Sequence, residues 1–193
     1  MRQKVPLSLI FFSGLALTHT SAKHNEAQDV WRRADAEIVR LSPADFPELP
    51  RPIARKLIAL GCTIPQAKEL RTRHNVIRGN FEKPGQADWA VLCSRKSASA
   101  IIVFWRGSVA SFSEIARRPD ESFLQVIGGR ETIGFSRTIV TADKKYILEH
   151  YHEYHGPKPP PITHQGIDDG FLGKGSEIHY YFGRKWRQLQ GAD

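Results

Sequence analysis

DWAVLCSRKSASAIIVFWR (88–106) is the stretch from which the fold is read. DWAVLCS and SAIIVFWR are two apolar, β-branched and aromatic runs joined by the polar segment Arg95–Ser97, which is the pattern of a β-hairpin. Ile101 to Trp105 is apolar at both parities. A strand of that kind has no polar face to give to water, so it belongs in the middle of a sheet covered on both sides.

Working outward, HNVIRGNF (74–81) reads as a short strand before the hairpin. Downstream, 108–130 is weakly patterned and ends in Gly128-Gly129. IGFSRTIVT (133–141), a turn ADKK, and YILEHYHEY (146–154) read as a further hairpin. Gly156 to Pro161 is a stiff extended connector, because proline fixes φ and removes a donor. EIHYYF, Gly183-Arg184 and KWRQL form a last hairpin. A two-residue turn beginning with glycine suits type II′ and sets Tyr181 opposite Trp186. Upstream, EAQDVWRRADAEIVRL (26–41) places Val30, Ala34, Ile38 and Leu41 at helical spacing. Four prolines in LSPADFPELPRP (41–52) break it. PIARKLIALG (52–61) has proline in its first turn and Gly61 where a left-handed cap belongs. There is no internal repeat. The expected fold is therefore α+β: two short N-terminal helices followed by an antiparallel sheet of five to seven strands.

The first residues stand apart. Arg2 and Lys4 precede the apolar run Val5–Leu17, and Thr20-Ser21-Ala22 supplies small residues for cleavage, which is the layout of a secretory signal peptide over 1–22. A helical segment, 23–60, and an antiparallel β-rich domain, 61–193, complete the division expected for a chain of 193 residues. No other segment is as apolar, so no transmembrane segment is expected after signal cleavage, and the destination is secreted or periplasmic. In that oxidising setting Cys62 and Cys93, the two cysteines of the chain, are expected to form a disulfide.

The net charge of +8 becomes +6 once residues 1–22 are removed, 26 basic against 20 acidic. This favours anionic partners. The basic residues are dispersed (Arg32-Arg33, Arg71 and Arg73, Arg117-Arg118, Lys144-Lys145, Arg184 to Arg187), with no block of five. That distribution predicts weak binding to anionic polymer and no specific nucleic-acid site.

GNFEKPGQADWAVLC (79–93) carries a family likeness. It resembles a single degenerate repeat of the FG-GAP or VCBS type, in which an acidic, glycine-bearing turn leads into a strand. Asn80, Glu82, Pro84, Gly85 and Asp88 fall on the turn positions. With the closing GRKWRQLQGAD (183–193), the chain is similar to exported bacterial proteins of uncharacterised function. In the FG-GAP family the turn holds calcium; here Glu82 and Asp88 are too few carboxylates for that ion.

Two other groups could carry chemistry. On a strand, His150 and His152 of HYHEYH would share a face and could hold zinc or copper, with His155, His164 or Asp168 completing the shell. HEYH is one residue short of the zinc-protease helix pattern. Asp168-Asp169, between glycines, reads as a turn or the start of a short helix, with general acid/base work as its alternative. No phosphate loop or nucleophile elbow is present. The expectation is an exported, non-enzymatic binding module for an envelope or extracellular partner, with no cofactor. Its alternative is a small zinc- or copper-dependent hydrolase or metal-binding protein built on His150, His152 and His155.

Overall fold

The computed structural model of the chain describes residues 29–129 and 132–193. The expected signal peptide, 1–22, and the first residues of the helix expected over 26–41 lie outside that range. Among the described residues there are three helices, α1 (29–36), α2 (Arg51–Ala59) and α3 (Lys144–Tyr154). The strands are β1 (Arg40–Leu41), β2 (Ile64–Pro65), β3 (Val76–Gly79), β4 (Asp88–Arg95), β5 (Ala98–Phe104), β6 (Phe112–Pro119), β7 (Leu124–Ile127), β8 (Thr132–Phe135), β9 (Arg137–Ala142), β10 (Gly166–Phe171), β11 (Gly175–Phe182) and β12 (Lys185–Gln190).

These strands make two four-stranded sheets, β3-β4-β5-β6 and β12-β11-β10-β9, and two small pairs, β1-β2 and β7-β8. Every pairing is antiparallel. The β4–β5 hairpin is the centre of the first sheet and is buried on both faces, as its two-parity apolar pattern requires. Ala90, Leu92, Ile101 and Val103 face Ile139 and Ile167 of the second sheet. On the other face Val91, Cys93, Ile102 and Phe104 meet Ile53 and Leu57 of α2. The far face of the second sheet, Ile178, Tyr180 and Leu189, is covered by Ile147 of α3 and by Ile162. The order of layers is thus α2, first sheet, second sheet, α3. The Cys62–Cys93 disulfide ties the segment after α2 to β4 across a Cα–Cα distance of 5.4 Å.

The expected single sheet of five to seven strands is corrected: the described residues form twelve strands in four sheets. The strand expected over 146–154 is helix α3. The expected turn ADKK instead starts this helix: Asp143 accepts a hydrogen bond from the Tyr146 N–H at 2.8 Å, satisfying a donor the first helical turn leaves free. Strands β6 and β7 were invisible as pattern because they are only partly covered; β6 buries none of its side chains fully. Asp168-Asp169 lies within β10, where partners for the carboxylates replace apolar side chains as the means of burial. The β11–β12 hairpin has the expected Tyr181–Trp186 register. Its turn is the I′ kind instead of II′, since Gly183 (φ 60°) and Arg184 (φ 63°) are both left-handed. Lys96 and Ser97, both at φ 53°, make the β4–β5 turn in the same way.

Candidate functional site

The histidines proposed as metal ligands fall on α3 and separate. Residues two apart on a helix lie about 200° apart around its axis, whereas on the expected strand they would share a face. His150 is half-buried, its Nδ1 2.8 Å from the Tyr146 carbonyl and its ring 4.1 Å from the Tyr146 ring. His152 is exposed beside Tyr151. His155 is the left-handed residue that closes the helix (φ 51°). His164 is buried in the connector before β10, stacked on Tyr180 with ring centroids 4.3 Å apart. Among the described residues, no three His, Cys, Asp or Glu side chains converge as a metal shell.

Asp168 and Asp169 point to opposite faces of β10, as adjacent strand residues must. Asp168 accepts the Tyr146 hydroxyl at 3.1 Å under α3, and its other carboxylate oxygen is buried without a partner. Burial raises its pKa above the usual carboxylate range, outweighing hydrogen bonds from Ser176 and Tyr146. Asp169 faces the first sheet. Burial alone would push its carboxyl up, but hydrogen bonds from Arg137 and His179, and their charge, hold it below the usual range.

Arg137 is the structural centre between the sheets. Its side chain is fully buried, and it grips Asp169 through Nε and Nη2 at 2.8 and 2.7 Å. In the first sheet the β5–β6 register shifts between Ser99 and Ile101, where Ala116 takes φ 53°. Such a bulge leaves carbonyls outside the ladder. Arg137 supplies their donors: Nη1 bonds the Ser99 carbonyl at 3.0 Å and Nη2 the Ala116 carbonyl at 2.7 Å. Asp88 plays a similar part in the 79–88 turn. Its carboxylate accepts from the Phe81 and Glu82 N–H groups, the Arg106 N–H and the Gln86 amide. With four donors already on it, this carboxylate is committed to holding the turn.

An open recess lies elsewhere, between α1, the segment 66–73 and β8, with a cavity volume of 350 Å³. The loop forming one wall is built by its two ends. The Gln66 side chain accepts from the His74 N–H at 3.1 Å and donates back to the His74 carbonyl at 3.2 Å. His74 Nε2 accepts from the Ala67 N–H at 2.7 Å, so its other ring nitrogen donates to the Thr72 carbonyl. Closed ends and self-bonding side chains are the marks of an Ω-loop. The loop is also fastened outward: the Lys68 N–H donates to the Phe135 carbonyl, and Glu69 accepts from Ser136 and Gln125. Just beyond it, Asn75 (φ 72°, buried) exchanges hydrogen bonds with the Arg137 carbonyl and the Ile139 N–H of β9. The backbone of the loop is therefore held in place.

The floor of the recess is apolar: Ala34, Ile38, Ala67 and Phe135 are buried and Ile133 is half-buried. Its rim carries Lys68, Arg71 and Arg73, together with Glu37 of the turn that follows α1. Among the described residues none of these three cations has a carboxylate within ion-pair distance. Gly134 lets the loop approach, since a Cβ there would lie 2.8 Å from the Lys68 Cβ.

Arg71 and Arg73 were visible in the sequence only as scattered basic residues, and Gln66, His74 and Asn75 carried no signal. Side chains that bond loop backbone have no periodicity to read. An arginine inside the apolar run FSRTIV was the one sign of Arg137. Comparison with protein-family models, with curated proteins and with solved structures finds no match for the chain.

Proposed function

We propose that this protein is an exported, non-enzymatic binding module whose ligand occupies the recess under the 66–74 loop. The observation that carries the reading is a 350 Å³ cavity with an apolar floor and three cations on one clamped loop at its rim. Its volume is at the lower end of the range typical of small-molecule sites. Pre-formed walls reduce the ordering that binding must otherwise bring about. Export is supported by the N-terminal pattern of residues 1–22 and by the Cys62–Cys93 disulfide, a bond that persists in oxidising compartments. The basic balance of the chain fits an anionic ligand from an envelope or extracellular source.

The test uses 8-anilinonaphthalene-1-sulfonate, an aromatic body with one anionic group. Fluorescence titration of the full chain is expected to saturate at one equivalent. The exposed double substitution Lys68→Glu/Arg71→Glu is expected to abolish that saturable phase without changing the far-UV circular dichroism. A titration that does not saturate, or one that the double substitution leaves unchanged, rejects the recess as the binding site.

A further inference from the structure

Resting on that reading, we infer that the recess takes a single-chain amphiphile with one anionic head group, its alkyl chain on the Ile38–Ile133–Phe135 floor and its head at Lys68 and Arg71.

Three features define this class. The first is volume. At about 30 Å³ per methylene-sized unit, the share one water occupies in the liquid, a recess of 350 Å³ holds roughly a dozen such units. That is a medium-length alkyl chain, too large for a bare inorganic anion and too small for a folded segment. The second is the division of polarity. The buried floor is made of Ala34, Ile38, Ala67 and Phe135, and the cations all stand on one side, along a single loop. A ligand charged along its whole length would leave the floor empty, while an uncharged hydrocarbon would leave the cations unused. The third is the count of charge. Lys68, Arg71 and Arg73 share the rim with Glu37, a local excess of positive charge that suits one anionic group and disfavours a cation. Arg73 also donates to the Asp45 carbonyl, which leaves Lys68 and Arg71 as the freer pair.

The head-group chemistry is shared by free alkyl carboxylates or sulfates and by acidic phospholipids in a bilayer. Isothermal titration of the full chain with octyl, decyl and dodecyl sulfate, below their micelle concentrations, reads the chain-length dependence. Each two-carbon step buries two more methylenes and is expected to tighten binding by about 15-fold, at roughly fourfold per methylene. Dodecanoate is expected to bind with dodecyl sulfate, and dodecyltrimethylammonium at least 10-fold more weakly. Flotation with phosphatidylglycerol vesicles, against phosphatidylcholine vesicles, separates the sources. Phosphatidylglycerol carries two chains per head group, so flotation with it together with loss of dodecanoate binding overturns the single-chain assignment, whereas no flotation with retained dodecanoate binding supports the free amphiphile. Ile133→Asp puts a carboxylate on the floor and is expected to abolish alkyl binding. Lys68→Glu/Arg71→Glu, on exposed side chains, is the companion variant should Ile133→Asp fail to fold, and is expected to equalise the anionic and cationic detergents.

Affinity independent of chain length, or equal affinity for dodecyl sulfate and dodecyltrimethylammonium in the unaltered protein, overturns the inference. If anilinonaphthalenesulfonate still saturates at the Lys68–Arg71 site in that case, the recess remains a binding site for another ligand. If both titrations fail, the binding reading falls with it.

Discussion

Replacing Arg137 by methionine is the most direct test of how the two sheets are joined. The guanidinium is fully buried, and five hydrogen bonds use it: two to Asp169, one to the Ser99 hydroxyl, and one each to the Ser99 and Ala116 carbonyls. Methionine fills similar volume but leaves the Asp169 carboxylate, 8% exposed, with only His179 at 3.4 Å. It also strands the two bulge carbonyls. Removing one member of a buried pair costs about 3–5 kcal/mol. At about 2–4 °C of Tm per kcal/mol for a domain of this size, the expected drop is roughly 6–20 °C. Thermal melts followed by circular dichroism measure the Tm shift, and urea unfolding the free-energy loss. The double variant Arg137→Met/Asp169→Leu removes the orphaned charge and is expected to recover at least half the loss. Acid titration supplies a second reading. Asp169 has a depressed pKa in the folded state, so its contribution is present above the unfolded carboxylate value near ~3.9 and is lost as pH falls through the folded value. Arg137→Met should flatten that acid limb. A loss below about 1 kcal/mol, well short of a broken buried pair, or a double variant no more stable than the single one, refutes the account of Arg137 as the inter-sheet tie.

Three further outcomes are expected. Asp168→Asn should gain stability at neutral pH. The folded carboxyl binds its proton more tightly than the unfolded one, so ionisation weakens the fold as pH rises through the folded value. The gain should vanish in melts below about pH 3.9, where both states are protonated; a gain that persists there points to another cause. Asp88→Ala strips the acceptor from three backbone N–H groups and the Gln86 amide. At about 1–3 kcal/mol for each buried donor left unpaired, a loss of about 3 kcal/mol or more is expected in chemical denaturation, and a near-neutral result contradicts the role given to this carboxylate. Reducing the Cys62–Cys93 bond, whose sequence separation is 31, should lower stability by about 3–4 kcal/mol on the chain-entropy relation. Matched melts with and without reductant measure this; identical curves would show that the cross-link does not constrain the unfolded chain.

Local pattern was legible where burial is apolar and continuous. The β4–β5 hairpin, helix α2 and the Tyr181–Trp186 register can all be read from residue type and spacing. The segment carrying the histidines is helix, not strand, for a related reason. YILEHYHEY has aromatic and polar residues that suit a strand as well as a helix, and the deciding feature, the Asp143 cap, is one side chain before the pattern begins. The period decides the geometry, since the same two histidines share a face at period 2 and part at period 3.6.

The sequence by itself determined the central hairpin, the second helix, the pairing partner of each cysteine and the basic balance of the chain. These depend on neighbours in sequence, on composition or on a count of two. Tertiary structure alone decided that two sheets stack, that Arg137 joins them through a bulge, and that Gln66 and His74 close a loop over an apolar floor. Those features rest on hydrogen bonds between residues such as Arg137 and Ser99, 38 positions apart, and no local pattern encodes which distant carbonyl a buried donor will satisfy.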